Sequence, residues 1–429
     1  MWAKRTSPRY RACALRLTVV TYAPPPWPPQ DRRDGVPSAS FSSALDQPPH
    51  ATGAYIPPPP PTVHTLPQLP EVPRRGRSAS LWLLGALVLV SVGLVGYFLT
   101  FLGAGASILG LVLALVPFVG VLLAVRLVDR WEPEPRSLLV LAVAWGAVAS
   151  VAIALLVDLG IVFLIGRDDT LARELFSSVV QAPVVEEVAK GLGLLIIFAT
   201  ARRAFDGPVD GVVYGALVGA GFAFTENIQY FAISFLQGGI EDVTGTFFVR
   251  GILSPFAHAM FTAIIGFALG LAARRGARGG VLGYWMLGLV GAILLHAFWN
   301  GSAMLGDFFA LYLTLQVPLF VGFILGIVAL RRQESRLTHQ RLGEYAAAGW
   351  FTSQEVDMLA TGAGRKRGLA WARGLRGDRT AIMREFIADA TGLAAARQRA
   401  ISGRDPHAVE DERVLLQRTA AARESLLAL

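Results

Sequence analysis

Cysteine is almost missing from this chain. Its 429 residues hold one, Cys13, which excludes an intramolecular disulfide and any cysteine-based metal cluster. Charge is scarce as well. Only 16% of the residues are charged against 53% hydrophobic, and the mean hydropathy is +0.50, so the composition lies on the membrane side of the globular average. No long apolar stretch precedes Leu81, so no cleavable signal peptide is expected. Instead, the first 79 residues carry 17 of the 25 prolines, in runs such as APPPWPP and IPPPPPT. That composition predicts a disordered, partly polyproline tail over 1–79.

What is abundant is apolar sequence in runs of about 20 residues, the length that crosses a ~30 Å hydrocarbon core. Such runs lie near 81–102, 106–126, 138–160, 176–199, 209–236, 247–272, 281–303 and 308–330. The expected fold class is all-α, a polytopic membrane helical bundle of about eight spans over residues 80–330. Arginines alternate with these runs. Arg74, Arg75 and Arg77, then Arg126, Arg130 and Arg136, then Arg202 and Arg203, then Arg274, Arg275 and Arg278, then Arg331 and Arg332 fall at every second connection. Since Lys and Arg near span ends favour the cytoplasm, both termini are expected there. The net charge of +8 is accounted for by these loops and the tail. It would attract anionic lipid and implies no nucleic-acid partner.

After Leu330 the composition shifts to Ala, Arg, Glu and Leu at helical spacing. Residues 331–429 are expected to form a small cytoplasmic helical domain. Thr352 and Glu355 have capping-box spacing, and Asp405 followed by Pro406 suits a helix start. This segment shows no Walker loop, dinucleotide fingerprint or repeat.

Within the spans, polar residues are few and concentrated. QAPVVEEVAKGLGLL puts Glu186, Glu187 and Lys190 in the fourth run, where each unpaired charge costs about 2.5–3.5 kcal/mol even on a lenient insertion scale. The fifth run carries Glu226 and Asn227, the sixth His258, the seventh His296 and Asn300. Counted along alternating spans, all lie between the midplane and the outer leaflet, which predicts one site. Residues four apart share a helical face, so Glu186 falls with Lys190, His258 with Ser254 and Thr262, and His296 with Asn300. Gly211, Gly215, Gly219 and Phe222 form a small-residue ladder below Glu226 that predicts close helix packing.

Three carboxylates and two imidazoles at one depth suit hydrolysis. His nitrogens and a carboxylate could hold a divalent metal while another carboxylate takes the proton from water. Without a metal, a buried glutamate could activate water itself. Lys190 is expected to neutralise a glutamate, and Asn227 and Asn300 to support through interhelical hydrogen bonds. Buried Glu, His and Lys also line ion pathways, so a proton-coupled transporter or channel is the alternative. Against it, the acids gather toward one leaflet, and the chain lacks the inverted repeat or paired broken helices of transporters.

EEVAK (186–190), FAFTEN (222–227), HAMFT (258–262) and HAFWN (296–300), in this order on successive spans, resemble the PrsW family of intramembrane proteases. DRWEPEPR (129–136) is similar to a segment that family shows before its third span. The resemblance covers about residues 80–330. Related prenyl endopeptidases carry EExxxR and FxxxH, whereas this chain has Lys190 in its first motif and Glu226 at the histidine's place. The resemblance implies a multi-pass protein of the bacterial plasma membrane that cleaves a membrane-anchored protein near the outer side, in the founding case an anti-sigma factor in stress signalling. It implies Glu186, Glu187 and Glu226 as catalytic residues. It also implies His258, His296 and Glu226 as ligands of a divalent metal, zinc being the expected ion.

Overall fold

A computed structural model of the chain describes residues 77–166, 170–276, 280–304 and 307–428. The tail expected over 1–79 lies outside them, except that its last residues already belong to the first helix. The protein is an all-α polytopic membrane bundle, with no strand among the described residues. The helices are α1 (Arg77–Phe101), α2 (Gly103–Val128), α3 (Arg136–Ile165), and α4, which joins Leu171–Phe176, a π-helical turn at Ser177–Gln181, and Ala182–Thr200.

The stretch Pro208–Arg274 is long and apolar over 67 residues, yet it is two passes. Helical geometry breaks at Gly238 and Gly239, the latter at φ 67°, a left-handed conformation that costs glycine nothing. The chain reverses there into α5 (208–237) and α6 (240–274). The reversal is visible in the pairs that face each other. The Phe231 and Phe247 rings lie 5.7 Å apart, and the Ser234 and Thr246 hydroxyls 2.8 Å apart. Further down, a Cβ on Gly219 would strike the His258 carbonyl, one on Gly215 would lie 2.7 Å from the Ala263 Cα, and Gly211 abuts Gly266. The glycine ladder therefore brings the α5 and α6 backbones into contact, as small residues allow in membrane helices.

Then follow α7 (Val281–Met304) and α8 (Phe308–Ala347). Six stretches are long and apolar enough to cross a membrane. The hairpin among them supplies two passes, and α4 supplies another, its apolar run interrupted by three charges, Glu186, Glu187 and Lys190. The hairpin is the hub. Its apolar window is 72% buried, against 6–28% in the other five stretches, whose side chains such as Leu89, Phe163, Leu287 and Leu325 point outward to be covered by lipid.

At the arginine-bearing end the structure differs from the sequence expectation in two details. α8 passes through residue 330 without a break and reaches Ala347, because nothing in Arg331–Tyr345 disfavours helix. The final helix starts at Ala408, not Pro406: the Asp405 carboxylate accepts from the His407 N–H at 3.0 Å, holding a turn ahead of the helix. The Thr352–Glu355 capping box is formed in both directions. Here α9 (Ser353–Ala360), α10 (Gly362–Gly374), α11 (Thr380–Ser402) and α12 (Ala408–Leu427) pack with the end of α8 around Leu342, Phe351, Met383, Phe386 and Leu393.

This helical unit grips the membrane bundle through arginines. Arg404 donates to the Phe198 and Phe205 carbonyls, capping α4, and Arg399 pairs with Asp206 at 2.7 Å. Arg365 stacks 3.4 Å over the Trp131 ring and donates to its carbonyl at 3.2 Å. DRWEPEPR is thus a joint: Trp131 meets α10, while Glu134 accepts from the Tyr214 hydroxyl of α5.

Candidate active site

Four spans deliver the polar residues, and local packing sets their rotation. On α4, the indole N–H of Trp145 donates to the Ala189 carbonyl at 3.0 Å and that of Trp285 to the Gly191 carbonyl at 2.9 Å. Gly193 admits the Trp145 ring, since a Cβ there would overlap it. Two large side chains thus lock the turn that bears Lys190. π-helical turns interrupt α3 at Trp145–Ser150, α4 just before the glutamates, α6 at Phe248–Leu253 and α8 at Tyr312–Gln316, features that recur near functional sites.

The cluster is compact and buried. The Lys190 ammonium lies 3.1 Å from Glu186 Oε2, 2.8 Å from Glu187 Oε1 and 3.1 Å from His258 Nδ1, with the Phe222 ring 3.7 Å beneath it. Glu187 also meets His296 Nδ1 at 3.1 Å and accepts from the Thr262 hydroxyl at 3.0 Å. Both its oxygens are engaged and its side chain is wholly enclosed. The imidazoles of His258 and His296 stand edge to face, 5.0 Å between centroids, and His296 stacks on Phe261.

Glu226 reaches His258 Nε2 at 3.0 Å and takes a short ion pair from Arg250. Arg250 also donates to Asn227 Oδ1 at 2.8 Å and lies 3.9 Å over the Tyr230 ring. Asn300 donates to the Ser178 carbonyl at 2.9 Å, tying α7 to α4 one layer above the cluster. Ser254, expected on the His258 face, sits at the break that ends the π-helical turn.

Arg250 is the functional candidate that sequence reasoning missed. Its signal was an arginine three residues inside a span at the end where arginines are otherwise sparse. Three carboxylates face two fixed cations, so with neutral imidazoles the cluster carries one net negative charge, room for a proton or a metal.

Glu186, Glu187, His258 and His296 each offer a ligand atom within 4.8 Å of the others. Two carboxylates and two imidazoles are a donor set that suits zinc or a similar divalent ion, so the residues fit such a group. Three of these four side chains already hold the Lys190 ammonium, at 2.8–3.1 Å, so an ion bound among them would displace it. Glu226, expected among the ligands, stands outside this set because Arg250 draws its carboxylate toward α6.

Two cavities reach the cluster. One of about 320 Å³ between α3, α4 and α5 exposes Glu186 and Glu226, with Asp158, Gln181 and Gln229 on its wall. A smaller one of about 100 Å³ meets His258 from the other side, among Asn227, Arg250, Asn300 and Phe308. Of the glutamate pair, Glu186 faces open space and Glu187 does not.

A buried Glu/His/Lys cluster at the centre of a membrane helical bundle defines a class, the polytopic proteins that run polar chemistry inside the bilayer. The family model described as PrsW family intramembrane metalloprotease matches residues 134–325. Protease PrsW of Geobacillus kaustophilus is 31% identical over 156 residues, 36% of this chain and 63% of that protein. Protease PrsW of Bacillus subtilis is 30% identical over 182 residues, 42% and 77% of the respective chains. That of Clostridioides difficile is 28% identical over 233 residues, 53% and 92%. The chain belongs to the PrsW family of intramembrane metalloproteases. No solved structure matches it.

Proposed function

We propose that this protein is an intramembrane endopeptidase that hydrolyses a membrane-anchored protein toward the outer side of the bilayer, with its arginine-bearing end and both termini in the cytoplasm. The observation that carries the reading is Glu186. It is the one carboxylate of the adjacent pair that opens on a cavity, while its neighbour is held by Lys190, His296 and Thr262. A general base must reach the water it deprotonates.

Glu186 takes the proton from water, and Glu187 orients Lys190 and His296. Lys190 lowers the electrostatic cost of three carboxylates in one buried space. Glu226, fixed by Arg250, meets His258 Nε2 while His258 Nδ1 meets Lys190, so this imidazole orients the ammonium, and the proton that Glu186 takes from water is the one returned to the leaving amine. Glu186, Glu187, His258 and His296 are the residues that would hold a divalent metal. When bound, such an ion would polarise the scissile carbonyl and acidify water. Asn227 and Asn300 act as supports.

An anti-sigma factor is the proposed substrate, as the sequence resemblance implies, and the charge pattern supports the plasma membrane as the location. The transporter reading loses ground at the α5–α6 interface, where backbone contact at Gly219, Gly215 and Gly211 leaves no space between these two helices. Protein purified and reconstituted in liposomes should release a fragment from a single-pass peptide, cut toward the outer leaflet and detected by mass. Proton flux without any cleavage would overturn the assignment in favour of a transporter.

A further inference from the structure

A long apolar groove of about 1040 Å³ runs down the outside of the bundle between α2 and α8. Its walls are Ile252, Leu253 and Phe256 from the break in α6 and Phe320, Ile324 and Ile327 from α8. Along α8 it extends from Tyr312 to Arg336, 24 residues or about 36 Å at 1.5 Å per residue, the depth of a bilayer core with its inner interface. At its upper end Pro255 lines both this groove and the small cavity that holds His258, Arg250 and Asn300. At its lower end stand Arg331, Arg332 and Arg336. Arg331 is partly engaged with Glu334 at 3.8 Å and the Leu127 carbonyl, whereas Arg332 and Arg336 are exposed and have no ion-pair partner among the described residues.

We propose that this groove is the docking site for the substrate's transmembrane helix, and that it selects helices with acidic residues at their cytoplasmic flank. The inference rests on the protease reading and adds to it where the substrate lies and what marks it. Three features single out a helix as occupant. The groove is as long as a membrane-spanning helix, its walls between the two ends are apolar, and it shares Pro255 with the cavity beside the cluster. A helix bound there meets the α6 break at its outer third. Ser254, Pro255 and Phe256 interrupt α6 at that level, and Tyr312 donates to the Leu253 carbonyl at 2.9 Å. A substrate strand unwound at this height passes Pro255 to reach the histidines. At the other end Arg331, Arg332 and Arg336 supply a positive charge that an acidic flank answers. The cavity on the far side, with Asp158, Gln181 and Gln229 on its wall, is left to admit water to Glu186.

The test uses the full chain in liposomes and two synthetic single-pass peptides. They share a Leu/Ala helix and an outer-side cleavable segment and differ only in a cytoplasmic flank of three Asp or three Lys. A photoreactive residue replaces Ile324 in one preparation, and Arg332→Glu with Arg336→Glu is combined in another. The expected results are crosslinking of Ile324 to the peptide and a preference of about tenfold for the Asp flank in cleavage efficiency. The double charge reversal, at exposed positions that bear on no core packing, should invert the preference. Crosslinks to lipid only, together with equal cleavage of both peptides by both proteins, overturn the groove while leaving proteolysis standing. Crosslinking and flank preference in binding without any cleavage uphold the groove and overturn the proteolytic reading instead.

Discussion

Arg250 and Glu226 form an ion pair across the α5–α6 hairpin, with Gly238 and Gly239 midway between them in sequence. The pair fixes the carboxylate that touches His258 Nε2, and it joins the two membrane passes above the glycine ladder. Removing the guanidinium leaves the Glu226 carboxylate without its cation, facing His258 Nε2. Arg250→Ala should lower peptide cleavage by about 10²-fold, and Arg250→Lys, which keeps the charge and loses the second bond to Asn227, should fall between. Cleavage rates in liposomes check this; an unaffected Arg250→Ala would remove Glu226 from the account.

Gly219→Ala should destabilise the protein by about 1–3 kcal/mol, because the added methyl meets the His258 carbonyl and must push two backbones apart. Gly96→Ala is the control. It has open space around it, and alanine favours helix by about 0.5–1 kcal/mol. Thermal melts in detergent should separate the two in opposite directions, with the Gly219 variant also losing activity through displacement of His258.

The loop at 129–136 predicts a pH dependence of stability. Burial pushes the Glu132 carboxyl up to about 8, with repulsion from Asp206 and Glu334 adding to the rise and Arg399 and Arg365 opposing it. A raised acid stabilises the fold in its protonated form. Its contribution is complete below the ordinary value near 4.5 and is lost as pH climbs through about 8. The melting temperature of the wild type should therefore fall steadily from about pH 4.5 to about 8 and level off above that, by about 2–4 °C for each kcal/mol lost. Glu132→Gln should show a shallower drop, and an unchanged slope would count against Glu132 as its source.

Much of this molecule was legible from the sequence because membranes punish exceptions. Apolar runs marked the passes, and the few charges inside them marked the cluster, since hydrocarbon leaves no bland reason to place Glu186, Glu187 and Lys190 together. The ladder at Gly211, Gly215 and Gly219 was readable as close packing. Its partner helix was not, because spacing within one helix carries no information on the neighbour. Arg250 was hidden by its place near a span end, where an arginine looks ordinary until the sign of that end is considered. The indole bonds from Trp145 and Trp285 arise from tertiary contacts between spans far apart in sequence. So does the grip of Arg404 on the end of α4.

A divalent metal should accompany the purified protein at about one ion per chain, measured by elemental analysis, and strong chelation should remove both the ion and the cleavage activity. His296→Ala should lose the ion, since it deletes one of four donors that lie within 4.8 Å of each other. Full activity in metal-free protein would leave the glutamate alone to activate water.

The most direct test compares the two adjacent glutamates. Glu187→Gln weakens the enclosed network around Lys190, His296 and Thr262, and should reduce both melting temperature and activity, the broken buried pair costing about 3–5 kcal/mol. Glu186 faces the cavity and holds less of the fold together. The decisive measurement is the rate at which purified Glu186→Gln cleaves a single-pass peptide, beside its thermal melt. A loss of about 10²–10⁴-fold with the wild-type melting temperature kept is the predicted result; cleavage at the wild-type rate would contradict Glu186 as the base and with it the proposed chemistry of this site.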